Sequence, residues 1–106
     1  MSLRRHAAHV DKNHKEIVDG LRAAGCSVEV LSKKDVPDLL VGYDGRNYLL
    51  EVKRGAFEEH HKDGWVRQRK GGKLSKGQQA WHAAWKGEVF VVHSLNDALL
   101  VVGPRR

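Results

Sequence analysis

Apolar positions along this chain change their period several times, and each change marks an element. Val10, Ile17, Val18, Leu21 and Ala24 recur at helical spacing, and Gly25 is placed to stop the helix. Residues 26–31 then alternate, the period of a half-buried strand. Pro37 introduces a short apolar run over 38–43. Asp44-Gly45 is a two-residue hairpin signal, and 47–53 forms the returning strand. Ser75 opens a second helix carrying Trp81, Ala84 and Trp85, and Gly87 ends it. Residues 88–93 are nearly all apolar, the pattern expected of a strand in the middle of a sheet. Ser94 caps a last short helix through Leu99. The order α-β-β-β-α-β, with a small terminal helix, predicts an α/β fold: a mixed four-stranded sheet flanked by helices.

One stretch breaks the pattern. Residues 55–72 hold four glycines and no apolar periodicity, and read as a long exposed loop or a loop plus β-hairpin. Charge gathers in the same place. The 106 residues carry +6 overall, with a pI near 9.7. Between His60 and Lys76 lie Lys62, Arg67, Arg69, Lys70, Lys73 and Lys76 against one acid, Asp63, so this span carries +5 and the rest only +1. A near-neutral body with one basic segment, at about 55–73, points to a polyanion on one side.

Length fits one domain spanning 1–106. The single cysteine, Cys26, excludes an internal disulfide and a Cys-based zinc site, and is expected to be buried and inert. No apolar run approaches a membrane span, and the first residues lack the apolar stretch of a signal peptide. The expectation is a cytoplasmic protein of a bacterium or a phage-infected host, with no membrane partner.

The most informative residues are Pro37-Asp38 and Glu51-Val52-Lys53. Side chains on a strand alternate faces, so Glu51 and Lys53 share one face and Val52 points to the other. The turn at Asp44-Gly45 makes the two strands antiparallel neighbours, and counting outward from it brings Asp38 near Glu51 and Lys53. Two carboxylates ~4 Å apart repel by about 4 kcal/mol at an effective dielectric of 20. They need a proton or a cation between them, and a hard ion such as Mg²⁺ suits two carboxylates plus water and substrate phosphate. Such an ion polarises a scissile phosphate and supplies hydroxide near neutral pH. Lys53 is placed to orient the attacking water or to stabilise developing negative charge. The bland alternative is a surface salt bridge between Glu51 and Lys53.

Pro37-Asp38, twelve intervening residues, then Glu51-Val52-Lys53 resembles the motif of the PD-(D/E)XK nuclease superfamily. The element order resembles its αβββαβ restriction-endonuclease-like core over about residues 10 to 100. Within the superfamily the chain is most similar to small phage and prophage VRR-NUC or Holliday-junction-resolvase-like nucleases. Asp11-Lys12-Asn13-His14-Lys15-Glu16 resembles the opening of their first helix, and Leu74-Ser75-Lys76-Gly77-Gln78 that of their second. The resemblance implies a Mg²⁺- or Mn²⁺-dependent DNA endonuclease, selective for branched or junction DNA. It implies Asp38, Glu51 and the Val52 carbonyl as metal ligands and Lys53 as catalytic lysine. It also implies Glu16 as an assisting first-helix acid, Gln78 as an active-site glutamine, and a homodimer as the working form.

Other readings of the supporting residues stay open. Glu16 lies well off the apolar stripe of its helix, and Asn13 with Glu16 also reads as an N-cap and its N3 acid. Ser75 to Gln78 is itself a capping box, yet Gln78 shares a stripe with Trp81 and Trp85, which are expected in the core. A polar group on that stripe needs a partner, and the active-site edge offers one. Trp65 sits among Lys62, Arg67, Arg69, Lys70, Lys73 and Lys76, either as a base-stacking ring or as a hydrophobic anchor. His60 and His61 are adjacent, so their side chains diverge and add to the basic surface. Arg4 and Arg5 read as a basic arm or as solvated terminal charge. Against the enzyme stand a non-catalytic nucleic-acid-binding or assembly module on the same fold and, more weakly, an RNA nuclease.

Overall fold

The computed structural model describes the backbone of residues 2–55 and 57–103 and, from residue 13 on, their side chains apart from Phe57. The side chains of Arg4, Arg5, Val10 and Asp11 lie outside the described residues. Helix α1 (Ser2–Ala23) leads into strands β1 (Ser27–Val30), β2 (Leu39–Tyr43) and β3 (Arg46–Val52). A separate hairpin follows, β4 (Phe57–His60) and β5 (Val66–Arg69). Helix α2 (Lys76–Ala84), strand β6 (Phe90–Val92) and helix α3 (Leu95–Val102) are the remaining elements among the described residues. The fold is α/β, with three helices and a mixed four-stranded sheet in the order β1-β2-β3-β6. Strands β1, β2 and β3 form an antiparallel meander, and β6 adds parallel to β3.

The turn between β2 and β3 falls where the sequence puts it. Asp44 and Gly45 both have positive φ, 53° and 78°, as the tight hairpin turn requires. This fixes the register Leu39↔Leu50 and Val41↔Tyr48. Period-two alternation then sends Val28, Leu39, Val41, Leu50, Val52 and Val92 to one face, where they are buried against Ile17, Val18 and Leu21 of α1 and Ala98 and Val102 of α3. The two helices meet at Gly20, where any Cβ would fall inside the Leu95 side chain. Cys26 is buried beside this core.

Three expectations change. Strand β6 lies at the sheet edge, not its centre, pairing only with β3 and leaving Val91 40% exposed. The apolar run of β6 is buried on one face only, through Val92, and an apolar run carries no information about hydrogen bonding on both sides. Helix α1 begins at Ser2, so Asn13 is interior to it and is not its N-cap. Helix α2 contains no buried residue. Trp81 stacks on Trp85 at 4.7 Å between ring centroids, and Trp85 is 45% exposed, so the pair does not enter the core. The capping box does form: Ser75 Oγ accepts from the Gln78 N–H while Gln78 Oε1 accepts from the Ser75 N–H. Among the described residues no helix is long and apolar enough to cross a membrane.

Candidate active site

The face of the sheet turned away from α1 and α3 carries Glu51. Extending the β2–β3 register by one pair sets Asp38 opposite Glu51, on the same face, and β6 places Val91 beside it on the other side. Glu51 is fully buried, the one charged residue in that state among the described residues. Burial and the neighbouring Asp38 carboxyl, within hydrogen-bonding reach, push its pKa up to about 8, and the Lys53 ammonium only partly offsets them. Asp38 is held in turn: its Oδ2 accepts the Val52 N–H at 2.7 Å. The strand that supplies Glu51 thus also orients the acid facing it.

The bland salt-bridge reading fails on this geometry. Besides Asp38, the partners of Glu51 come from α2, and Lys53 is not among them. Gln78 Nε2 donates to Glu51 Oε2 at 3.2 Å, and His82 Nε2 lies 3.2 Å from Oε1. Lys53 follows β3, its N–H donating to the Val92 carbonyl at 2.9 Å and its own carbonyl accepting from Asn13 Nδ2 at 3.4 Å. Among the described residues of α1, Asn13 rather than Glu16 reaches this end of β3. Glu16 is exposed and makes no hydrogen bond or ion pair with Asp38 or Glu51. Glu16 lies off the stripe that Ile17, Val18 and Leu21 bury against the sheet, so it faces solvent.

His82 is the residue that sequence reading passed over. It follows Gln78 by four, so the two share a helix face. The stripe drawn through Gln78, Trp81 and Trp85 used the i+3 and i+7 positions and skipped i+4.

The donor set fits a hard divalent cation. Two facing carboxyls, one buried and held protonated by its surroundings, exchange that proton for a cation more readily than for two bare charges. Among the described residues no cluster of three or more His, Cys, Asp or Glu side chains comes together as a metal cage. Mg²⁺ commonly joins one or two carboxylates with water and substrate oxygen, which a pair such as Asp38 and Glu51 suits.

The glycine-containing stretch after β3 forms the two-stranded ribbon β4–β5, turned at Gly64 with φ 93°. Its charges largely cancel. Residues 57–69 hold three basic side chains (Lys62, Arg67, Arg69) and three acidic ones (Glu58, Glu59, Asp63). Arg69 pairs with Glu59 at 2.9 Å and, with His61, lowers the Glu59 pKa. Gln68 donates to Glu58. His60 and His61 diverge as expected, but toward Glu58 and Glu59, at 3.4 and 3.3 Å. Trp65 is 47% exposed near the turn, stacked on His61 at 3.5 Å, with the Arg67 guanidinium 5.9 Å from its ring centre.

The uncancelled charge lies at the ribbon's base. Lys70, Lys73 and Lys76 are exposed with no acid between them. The Gly72 N–H donates to the Arg54 carbonyl at 2.7 Å and Arg54 donates to the Lys70 carbonyl at 3.0 Å, so this segment runs across Lys53 and Arg54. The segment that carries the basic patch therefore lies against Lys53 and Arg54, just beyond Glu51 on the chain. Comparison with family models, with curated proteins and with solved structures finds no match to this chain.

Proposed function

We propose that this protein is a divalent-metal-dependent DNA endonuclease of the PD-(D/E)XK kind, built on that superfamily's restriction-endonuclease-like core and acting on branched or junction DNA. The observation that carries the reading is Glu51, fully buried between the apolar Leu50 and Val52 near the end of β3 and set opposite Asp38, with Lys53 two residues on. Burying a carboxyl beside another carboxyl costs stability unless a ligand uses the pair. Asp38, Glu51 and the Val52 carbonyl would hold Mg²⁺ or Mn²⁺, which when bound polarises the scissile phosphate and lowers the pKa of a water to near neutral. The Lys53 ammonium steadies negative charge as it develops on the phosphate. The Asp38 carboxylate is kept in place by the Val52 N–H, and Gln78 keeps the Glu51 carboxyl in its plane. Lys70, Lys73 and Lys76 hold the backbone at the site, while the ribbon, neutral in sum, adds shape and the Trp65 ring.

The test is incubation of the purified protein with labelled four-way, flapped, single-stranded and linear DNA in Mg²⁺, Mn²⁺ or EDTA. Cleavage of branched DNA with metal and none in EDTA is expected. Glu51→Gln and Lys53→Ala should each lower it by about 10²–10⁴-fold with DNA binding intact. Undiminished cleavage by Lys53→Ala would overturn the mechanism, and no cleavage with any metal would favour the binding module. In EDTA, replacing Lys70, Lys73 and Lys76 together by Ala should flatten the dependence of log K on log salt by about 2–3 in slope. Arg69→Ala, which frees Glu59, should flatten it by less than about 1.

A further inference from the structure

Helix α2 buries no side chain, yet two of its polar residues reach into the sheet and grip the two oxygens of one buried carboxyl. We propose that His82 is a positioning residue for Glu51: with Gln78 it fixes the rotation of that carboxylate and so sets how tightly the site holds a divalent cation. This rests on the reading of Asp38 and Glu51 as a cation-binding pair.

The geometry supports a clamp rather than a chance contact. Gln78 and His82 approach different oxygens at the same 3.2 Å, from adjacent positions on one helix face. The His82 side chain is 14% exposed and that of Glu51 1%, so water competes little for either. The ring of His82 is braced by Trp81, edge to face at 74° and 6.0 Å, and Trp81 by its stack on Trp85. Each carboxylate oxygen has two lone-pair sites, so one bond from the clamp leaves the other for a cation. An ionised carboxylate only accepts hydrogen bonds. Whenever Glu51 holds a cation, His82 must therefore present a hydrogen on Nε2. Hydrogen-bond partners of metal-holding side chains commonly change metal affinity by about 10–100-fold.

The experiment measures Mn²⁺ binding to the DNA-free protein by the electron paramagnetic resonance of free Mn²⁺. His82→Ala should weaken binding by about 10–100-fold, and His82→Gln, whose amide can donate, should recover most of it. Glu51→Gln should abolish it. Nitrogen-15 spectra of the Mg²⁺-loaded wild type should show hydrogen on His82 Nε2. Unchanged Mn²⁺ affinity in folded His82→Ala, alongside its loss in Glu51→Gln, would overturn the proposal and leave the cation site standing. A bare Nε2 in the Mg²⁺-loaded protein would do the same, and this measurement decides if His82→Ala does not fold. A wild type that binds no Mn²⁺ would overturn the cation site and the proposal together.

Discussion

The two faces of the central sheet solve opposite problems with the same strand. On one face Leu50 and Val52 of β3 meet Leu39, Val92, Ile17 and Leu21, all buried, and α1 and α3 close over them. On the other, one residue along, Glu51 is just as buried but faces Asp38, Gln78 and His82. The covering helix there, α2, has no residue in the core. The first face is arranged for stability, because every buried group gains from leaving water. The second is arranged at a cost in stability, because a carboxyl is desolvated beside another carboxyl. That contrast, rather than any single distance, separates the candidate site from the core. It also predicts that substitutions on the two faces of β3 act with opposite sign.

The largest effect should come from the apolar face. Leu50→Ala leaves a cavity between the sheet and its helices and should cost about 2–5 kcal/mol, read as a lower urea midpoint with an unchanged slope. A cost below about 1 kcal/mol would mean that this face is loosely packed and that the contrast fails.

Glu51→Gln should do the reverse. The fold raises the Glu51 pKa from 4.5 to about 8, so between these values the folded state keeps a proton that the unfolded chain releases. Stability of the metal-free protein must then fall as pH rises from about 4.5 to 8, and level off beyond it. Glutamine removes this dependence and should stabilise the metal-free protein at pH 7–8 by on the order of a few kcal/mol. Saturating Mg²⁺ should remove it in the wild type as well, because the cation replaces the proton. Parallel stability–pH curves for wild type and Glu51→Gln in EDTA would show that Glu51 is not strained by its burial.

Much of this contrast is legible in the sequence, and for identifiable reasons. Asp44-Gly45 admits one turn geometry, the turn sets the register, and the register alone puts Asp38 opposite Glu51. Ser75 and Gln78 form the capping box their spacing spells out, with Gln78 still reaching Glu51. What was not legible depends on neighbours distant in sequence. A charge count along 60–76 does not include Glu58 and Glu59, which the β4–β5 pairing folds back onto Gln68 and Arg69. The basic segment therefore shrinks to Lys70, Lys73 and Lys76, close to Lys53 and Arg54. The apolar run of 88–93 contains no record of which of its edges is left unpaired, so the edge position of β6 was hidden. Trp81 and Trp85 follow helical spacing toward the sheet, but each has the other to cover it, and spacing cannot reveal that.

The smallest effect should come from α2 itself, and it tests how the second face is held. A tryptophan in a core costs about 3–5 kcal/mol when cut back to alanine. Trp85 is 45% exposed, and its partner in stacking is Trp81 rather than the sheet. Trp85→Ala should therefore cost no more than the stacking energy of an aromatic pair, about 0.5–1.5 kcal/mol. Chemical unfolding monitored by far-ultraviolet circular dichroism is the suitable measurement, with midpoint and slope compared rather than amplitude, because the stacked indoles contribute to the signal. A cost of core size would mean that α2 is anchored by apolar burial, and the polar grip of Gln78 and His82 on Glu51 would then lose its part in docking the helix. A small cost leaves the polar grip on Glu51, together with the half-buried Trp81 and the close approach of Gly77 to Asp35, to hold α2 in place.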